Sequence, residues 1–205
     1  PNIVCGVGDL HGASVMVIAQ QRTPTPRLPG EPQGPYIGPD GFRKAQRAMN
    51  MAVKFGIPLI TFIDSSGPAQ TLEAEEGGLG HAIATTLATM ANLSVPTVAV
   101  ILSEGGRESG LALSIADRIL MLEGAIYAPM SPETAAAVLY RDDSRVVDAA
   151  QSLRLTSADG LAMKIIDTIV PEPEGGAHRN PEESASSLER ALVRAVARVQ
   201  AVAVG

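Results

Sequence analysis

A chain of 205 residues with 45% hydrophobic side chains can bury a core of its own and is expected to form one α/β domain; with 3% aromatic residues and no Trp, that core is built from Ala, Val, Leu, Ile and Met. A formal charge of −6 argues against nonspecific nucleic-acid binding, which needs a basic face, but a local patch can still hold an anionic ligand. The lone Cys5 excludes an internal disulfide and a cysteine-rich metal site, and His11, His81 and His178 show no ligand spacing. With no signal peptide or transmembrane run, a cytoplasmic location is expected.

The domain is expected to occupy 1–205, with a proline-rich loop at 22–41 and a C-terminal helix at 182–204. Residues 3–7 and 14–19 read as strands, with Asp9-Leu10-His11-Gly12 as their hairpin turn. Residues 22–41 are dense in proline and glycine, which break ladders and helices alike. Residues 42–55 form a helix whose apolar stripe is Phe42, Ala45, Met49, Ala52 and Val53, with Gly56 just past its end. An apolar strand at 58–63 then runs into Asp64-Ser65-Ser66-Gly67, and a helical pattern follows at 79–93. A second strand at 96–102 runs into Ser103-Glu104-Gly105-Gly106, with a helical pattern at 111–116. Short strands at 117–122 and 125–128 flank a turn at Glu123-Gly124. Helices are expected from Pro132 to Tyr140, over 146–153 and over 157–163, and a strand at 165–170 is stopped by Pro171. The final helix carries Arg190, Arg194 and Arg198 four residues apart, which reads as a solvated face.

The two strand–turn–helix units carry the chemistry. In tandem they bring two sets of backbone N–H groups to one sheet edge, and such groups stabilise an oxyanion without a catalytic side chain. Gly105 and Gly106 are the candidates, with 108–110 opening the next helix; the bland alternative is a tight turn. Glu104, Glu108, Glu75 and Glu76 invite a general acid–base role, but solvated charge or a carboxylate at a helix N-terminus is preferred. Gly175-Gly176-Ala177-His178-Arg179 lies between a strand and a helix start at Asn180-Pro181. It reads as a crossover docking the last helix, with a subunit or carrier contact through Arg179 as the functional alternative.

Several stretches together resemble the α subunit of the carboxyltransferase component of bacterial acetyl-CoA carboxylase. They are Pro39-Asp40-Gly41-Phe42-Arg43-Lys44-Ala45, the strand ending at Asp64 followed by Ala74-Glu75-Glu76, and Ile165-Ile166-Asp167 through Pro171-Glu172-Pro173 to Gly175-Gly176-Ala177-His178-Arg179-Asn180-Pro181-Glu182. Asp117-Arg118 and Ser131-Pro132-Glu133 fit at the expected distances. The resemblance covers nearly the whole chain and implies an α/β, crotonase (ClpP)-like fold of repeated ββα units. It implies transfer of a carboxyl group from carboxybiotin to an acyl-CoA, most simply acetyl-CoA giving malonyl-CoA. It implies a β subunit or domain and a biotin carboxyl carrier protein as partners in an α2β2-like hetero-oligomer, with no nucleic acid or membrane. The backbone oxyanion hole would fall on Gly105, Gly106, Ser109 and Gly110, and biotin would meet Ser66, Gly67, Arg107 and Glu108. Arg179 would face a partner or carrier. No metal is expected in this chain; any zinc would sit on the β partner.

The chain departs from the family pattern at two turns. Glu108 and Ser109 stand where glycines are expected, and Ser65-Ser66-Gly67-Pro68-Ala69-Gln70-Thr71 replaces the family's turn after Asp64. These departures leave two alternatives, a non-catalytic scaffold subunit and a specialised carboxylase or decarboxylase of secondary metabolism. Ser109 also suggests a hydrolase of the related Clp peptidase type. That family places its base where this chain has Ser131-Pro132, and Gly-x-Ser-x-Gly is absent, so hydrolysis is disfavoured.

Overall fold

His11 and Gly12, at φ 53 and 83, turn the chain back on itself in two residues. The computed structural model describes residues 2–21 and 36–203. β1 (Ile3–Leu10) and β2 (Ala13–Gln20) pair antiparallel from Ile3 opposite Gln20 to Leu10 opposite Ala13. The hairpin is as expected, but the ladder continues through Asp9 and Leu10, which the sequence reading assigned to the turn.

From β2 onward the main sheet grows in parallel. β4 (Leu59–Ile63), β6 (Thr97–Ile101), β8 (Arg118–Leu122) and β10 (Thr168–Val170) follow β2 in that spatial order, giving six strands with β1 at one edge. Every residue of β6 is buried, as a central parallel strand covered on both faces must be. β10 is shorter than the expected 165–170. Asp167 just precedes it: its backbone N–H donates to the Ile119 carbonyl of β8 at 2.8 Å, its carboxylate accepts from the Ile119 N–H, and its side chain pairs with Arg118 at 2.6 Å.

Each main-sheet strand from β4 to β8 is followed by a second, very short strand and then a helix, which is the recurring ββα unit. β5 (Gly67–Pro68) pairs in parallel with β3 (Tyr36–Ile37), and β7 (Glu104–Gly106) with β9 (Ile126–Ala128). Gly105-Gly106 is therefore part of a ladder and not merely a tight turn.

The helices differ from expectation mainly at their starts. Residues 22–35 of the expected proline-rich loop lie outside the described residues. Residues 36–41 are not loop: they hold β3 and the start of α1 (Pro39–Phe55). Proline suits a first helical turn, where its missing N–H would have no partner. Phe42, Ala45, Met49 and Ala52 are buried as expected, and Gly56 caps the end at φ 63, but Val53 is 39% exposed. A short helix, α2 (Leu72–Glu76), capped by the Thr71 hydroxyl, precedes α3 (Leu79–Ala91). Glu75 and Glu76 belong to α2, with Glu75 among the acidic residues of that helix's first turn. α4 (Arg107–Ser114) begins four residues before the expected pattern and ends two before it. α5 (Pro132–Ala135) continues as a π-helical turn to Tyr140, then come α6 (Val146–Leu153) and α7 (Ser157–Ala162).

The last helix, α8 (Pro181–Ala203), buries Ala191, Leu192, Val196 and Val199 and leaves Arg190, Arg194 and Arg198 on the exposed face. Asn180 caps it by accepting from the Glu183 N–H. Glu172 staples the crossover before it, accepting from the N–H groups of Gly124 and Ala177. The main core cluster is built without Trp, chiefly from Ile, Val, Leu, Met and Ala with Phe42 as its largest fully buried side chain, and a small second cluster holds Ala135, Ala136 and Ala149. Among the described residues, no helix is long and apolar enough to cross a membrane.

Candidate active site

The two glycine-bearing turns meet. Ser65 donates its backbone N–H to the Glu104 carbonyl at 2.8 Å, and the Ser66 hydroxyl donates to Glu104 Oε2 at 2.6 Å. The Ser103 hydroxyl donates to Asp64 Oδ1 at 2.5 Å. Neighbouring parallel strands β4 and β6 end level, since Ile63 pairs with Ile101, so the turns that leave them are held side by side.

Glycine is obligatory at the centre of this edge. Gly106 lies at φ 125 and ψ −161, which an L side chain rarely adopts. An added Cβ would collide with the Ala128 carbonyl oxygen and sit 2.7 Å from that residue's carbonyl carbon and nitrogen. Gly105 is nearly as confined, with Ile101 and Tyr127 side-chain carbons 3.1 Å from where a Cβ would stand. This close approach presses the β7 backbone against β9 and aims the chain into α4.

α4 has no side-chain cap. Its first-turn N–H groups have no partner within the helix, so its N-terminus presents donors and partial positive charge. Arg107 opens the helix with a left-handed φ of 47. Glu108 is exposed in the first turn, whereas Ser109 and Gly110 are buried beneath it. The Ser109 hydroxyl makes no hydrogen bond among the described residues.

Two cavities meet at Gly106, Arg107 and Ala128. The larger, about 470 Å³, is mostly apolar; Leu111, Tyr127 and Pro129 line one side and Leu153, Met163 and Ile166 another. Leu111, Met163 and Ile165 on its wall are exposed. The smaller, about 300 Å³, is more polar and is lined by Tyr36, Ser65, Ser66, Glu104, Gly105 and Ser131 among others.

Of the residues singled out from sequence, Ser66, Gly105, Gly106, Arg107 and Glu108 come together on these walls. Gly67, at φ 142, lies under the Arg107 side chain. Ser109 and Gly110 are buried in the first turn of α4 and line neither cavity. Arg179 is not part of this group: it is exposed in the crossover before α8, its N–H bonded to the Gly176 carbonyl, and lines neither cavity. His81 is exposed on α3 and also lies off both cavities, so no imidazole accompanies Ser109.

The sequence reading missed the wall made by α6 and α7. There Thr156 accepts from the Asp159 N–H at 3.2 Å and donates its hydroxyl to Asp159 Oδ2 at 2.7 Å, while Arg154 pairs with Asp159 Oδ1 at 3.1 Å. The Thr156 hydroxyl first, then the Arg154 guanidinium, holds the Asp159 carboxyl below the usual carboxylate range. The signal was a threonine three residues before an aspartate at a helix start. Among the described residues, no group of three or more His, Cys, Asp or Glu side chains is placed to hold a metal ion.

A family model described as acetyl co-enzyme A carboxylase carboxyltransferase-like matches residues 1–204. Acetyl-coenzyme A carboxylase carboxyl transferase subunit alpha of Thermus thermophilus is 41% identical over 196 residues, covering 96% of this chain and 63% of that protein. The subunit of the same name from Geobacter metallireducens is 43% identical over 202 residues, covering 98% of this chain and 64% of that one. The chain thus spans under two thirds of the length of these relatives. Among solved structures, transcarboxylase 12S with methylmalonyl-coenzyme A and methylmalonic acid bound superposes with a TM-score of 0.81 at 22% identity, covering 98% of this chain and 37% of that one. A Pseudomonas malonate decarboxylase hetero-tetramer in complex with coenzyme A gives a TM-score of 0.82 at 16% identity, covering 97% of this chain and 80% of that one. At these identities the likeness is one of fold, the crotonase-like fold expected from the sequence.

Proposed function

Because this chain belongs to the acetyl-CoA carboxylase carboxyltransferase family, we propose that it is the α half of a biotin-dependent acyl-CoA carboxyltransferase. With a β subunit or domain it moves the carboxyl group from carboxybiotin to an acyl-CoA, in the first instance acetyl-CoA to give malonyl-CoA. It works in the cytoplasm in a hetero-oligomer of α2β2 type, with a biotin carboxyl carrier protein visiting the site. The chain itself is a single domain of the α type.

The observation that carries this reading is the β7–α4 corner: a glycine pair forced against Ala128, an uncapped helix N-terminus behind it, and two cavities meeting there. Carboxyl transfer develops negative charge on an enolate oxygen and on the ureido oxygen of biotin. Preorganised backbone N–H groups stabilise such an oxygen by roughly 3 kcal/mol each, and they need no catalytic side chain. We assign that role to the N–H groups of Gly105, Gly106, Ser109 and Gly110. Ser109 serves through its backbone, since its side chain is turned into the core.

The smaller cavity fits the compact, polar ring of biotin: its volume is about 300 Å³ and Ser66, Glu104 and backbone amides line it. When bound, biotin supplies the carbamate that carries the carboxyl group. Ser66, Gly67, Arg107 and Glu108 would orient it at the cavity junction. The exposed Leu111, Met163 and Ile165 on the larger cavity are a surface for the β half to cover. Arg179, exposed and away from both cavities, is assigned to a partner or carrier contact.

The test is the reverse reaction. The chain and its β partner, given malonyl-CoA and biocytin, should release acetyl-CoA only when both chains are present. A stable complex without release would favour the scaffold reading or another acceptor, as suits a specialised carboxylase or decarboxylase; Glu108 on the cavity wall, where a glycine is expected, is the observation behind both. Replacing Glu108 and Ser109 by glycine then separates them. Activity rising from nothing marks a degenerate turn, and a large drop marks side chains that belong to the present function.

A further inference from the structure

Arg107 has no internal partner that accounts for it. Its left-handed backbone is a conformation that favours glycine. Its half-buried side chain crosses Gly67, where an added Cβ would sit 2.9 Å from Arg107 Cδ, so the missing side chain of Gly67 makes its path. Arg118, Arg145 and Arg154 are each paired with an aspartate. The Arg107 guanidinium makes no hydrogen bond or ion pair among the described residues. It lines both cavities at the point where they meet.

A guanidinium drawn partly out of water without a counter-ion attracts an anion, and its planar fork matches a carboxylate. We propose that Arg107 is a specificity residue that binds the carboxylate of a small ligand at the cavity junction, and that its left-handed backbone is kept for that placement. The proposal rests on the carboxyltransferase reading. A carboxylate is the group that carboxybiotin and a carboxyacyl thioester share, so Arg107 holds the group in transit on whichever ligand brings it.

The neighbouring charges set the selectivity. Glu104 lines the smaller cavity with Oε2 accepting from Ser66, and Glu108 lines the larger. Arg154, on the larger cavity, is already paired with Asp159. With the Glu108 carboxylate repelling an anion placed elsewhere on the larger cavity, Arg107 is the one uncommitted cation among the described residues of these walls. A neutral isostere gains nothing from it.

The test titrates the full chain with malonate and with malonamide by NMR at pH 7, for the wild type, Arg107→Gly and Arg107→Lys. The wild type should prefer malonate. Arg107→Gly should lose at least tenfold in malonate affinity while its Tm rises by about 2–4 °C, as the left-handed strain is released. Arg107→Lys should keep part of the affinity without the forked geometry. Three results overturn the proposal: no wild-type preference for malonate, malonate affinity within twofold of wild type in Arg107→Gly, or a fall in its Tm, which would make Arg107 a strut over Gly67. With the β partner present, a raised KM for malonyl-CoA assigns the carboxylate to the thioester, and a raised KM for carboxybiotin assigns it to the carrier side; no change in either overturns the proposal. If malonate binds through Arg107 but no transfer occurs with the partner, the carboxyltransferase reading fails and the carboxylate site stands.

Discussion

Gly106 tolerates no side chain, because both its dihedrals and its closeness to Ala128 forbid one. Gly106→Ala should cost roughly 3 kcal/mol or more, from strain and overpacking together, and a denaturant titration of the soluble variant checks it. Ser109 behaves in the opposite way. Its hydroxyl is fully buried and unpartnered, so Ser109→Ala should stabilise the protein by about 1 kcal/mol, read as a higher Tm. A lower Tm would reveal a partner for that hydroxyl. The glycine pair was legible in the sequence because it follows an apolar strand and precedes a helix. The Ser66–Glu104 bond was not, because those residues stand 38 positions apart and meet only once β4 and β6 pair in register. The path of Arg107 over Gly67 was hidden for the same reason.

Among the elements, α7 is the one whose start bears on the site. Thr156 and Asp159 bond reciprocally and Arg154 adds a charge, so the Asp159 carboxyl titrates below its unfolded value. The unfolded chain then takes up this proton first. The contribution is fully present above the usual aspartate pKa of about 3.9 and is lost as pH falls through the lower folded value. Asp159→Asn should therefore lower Tm slightly across the neutral range, where the ionised carboxyl contributes, and flatten its decline with acid below about pH 4. Thermal melts across pH 2–7 check this, and an unaltered acid limb would remove Asp159 from the account. Elements with a full apolar stripe or an apolar run were readable: α1, α6, α8 and the central strands β4, β6 and β8 fall within a few residues of where the pattern puts them. α2 was missed because five residues with one buried side chain carry no period. β3, β5, β7 and β9 are two or three residues long and exist only as partners of one another.

For the molecule as a whole, composition and the tandem apolar runs were enough to indicate an α/β domain, and the resemblance to the carboxyltransferase family implied repeated ββα units. They could not show that β4 and β6 end level and so bring two successive turns to one place. The order of the main sheet, β1-β2-β4-β6-β8-β10, carries a consequence for how the chain is made. Each later strand joins beside the one most recently placed, and none inserts between strands already paired. A chain emerging from the ribosome can therefore extend its sheet at one growing edge, beginning from the local hairpin of β1 and β2. The corner at β7 and α4 becomes complete only when β9 arrives, about twenty residues of synthesis later. Until then Gly105 and Gly106 have no ladder to hold them, so this glycine-bearing edge is one of the last features of its unit to take shape.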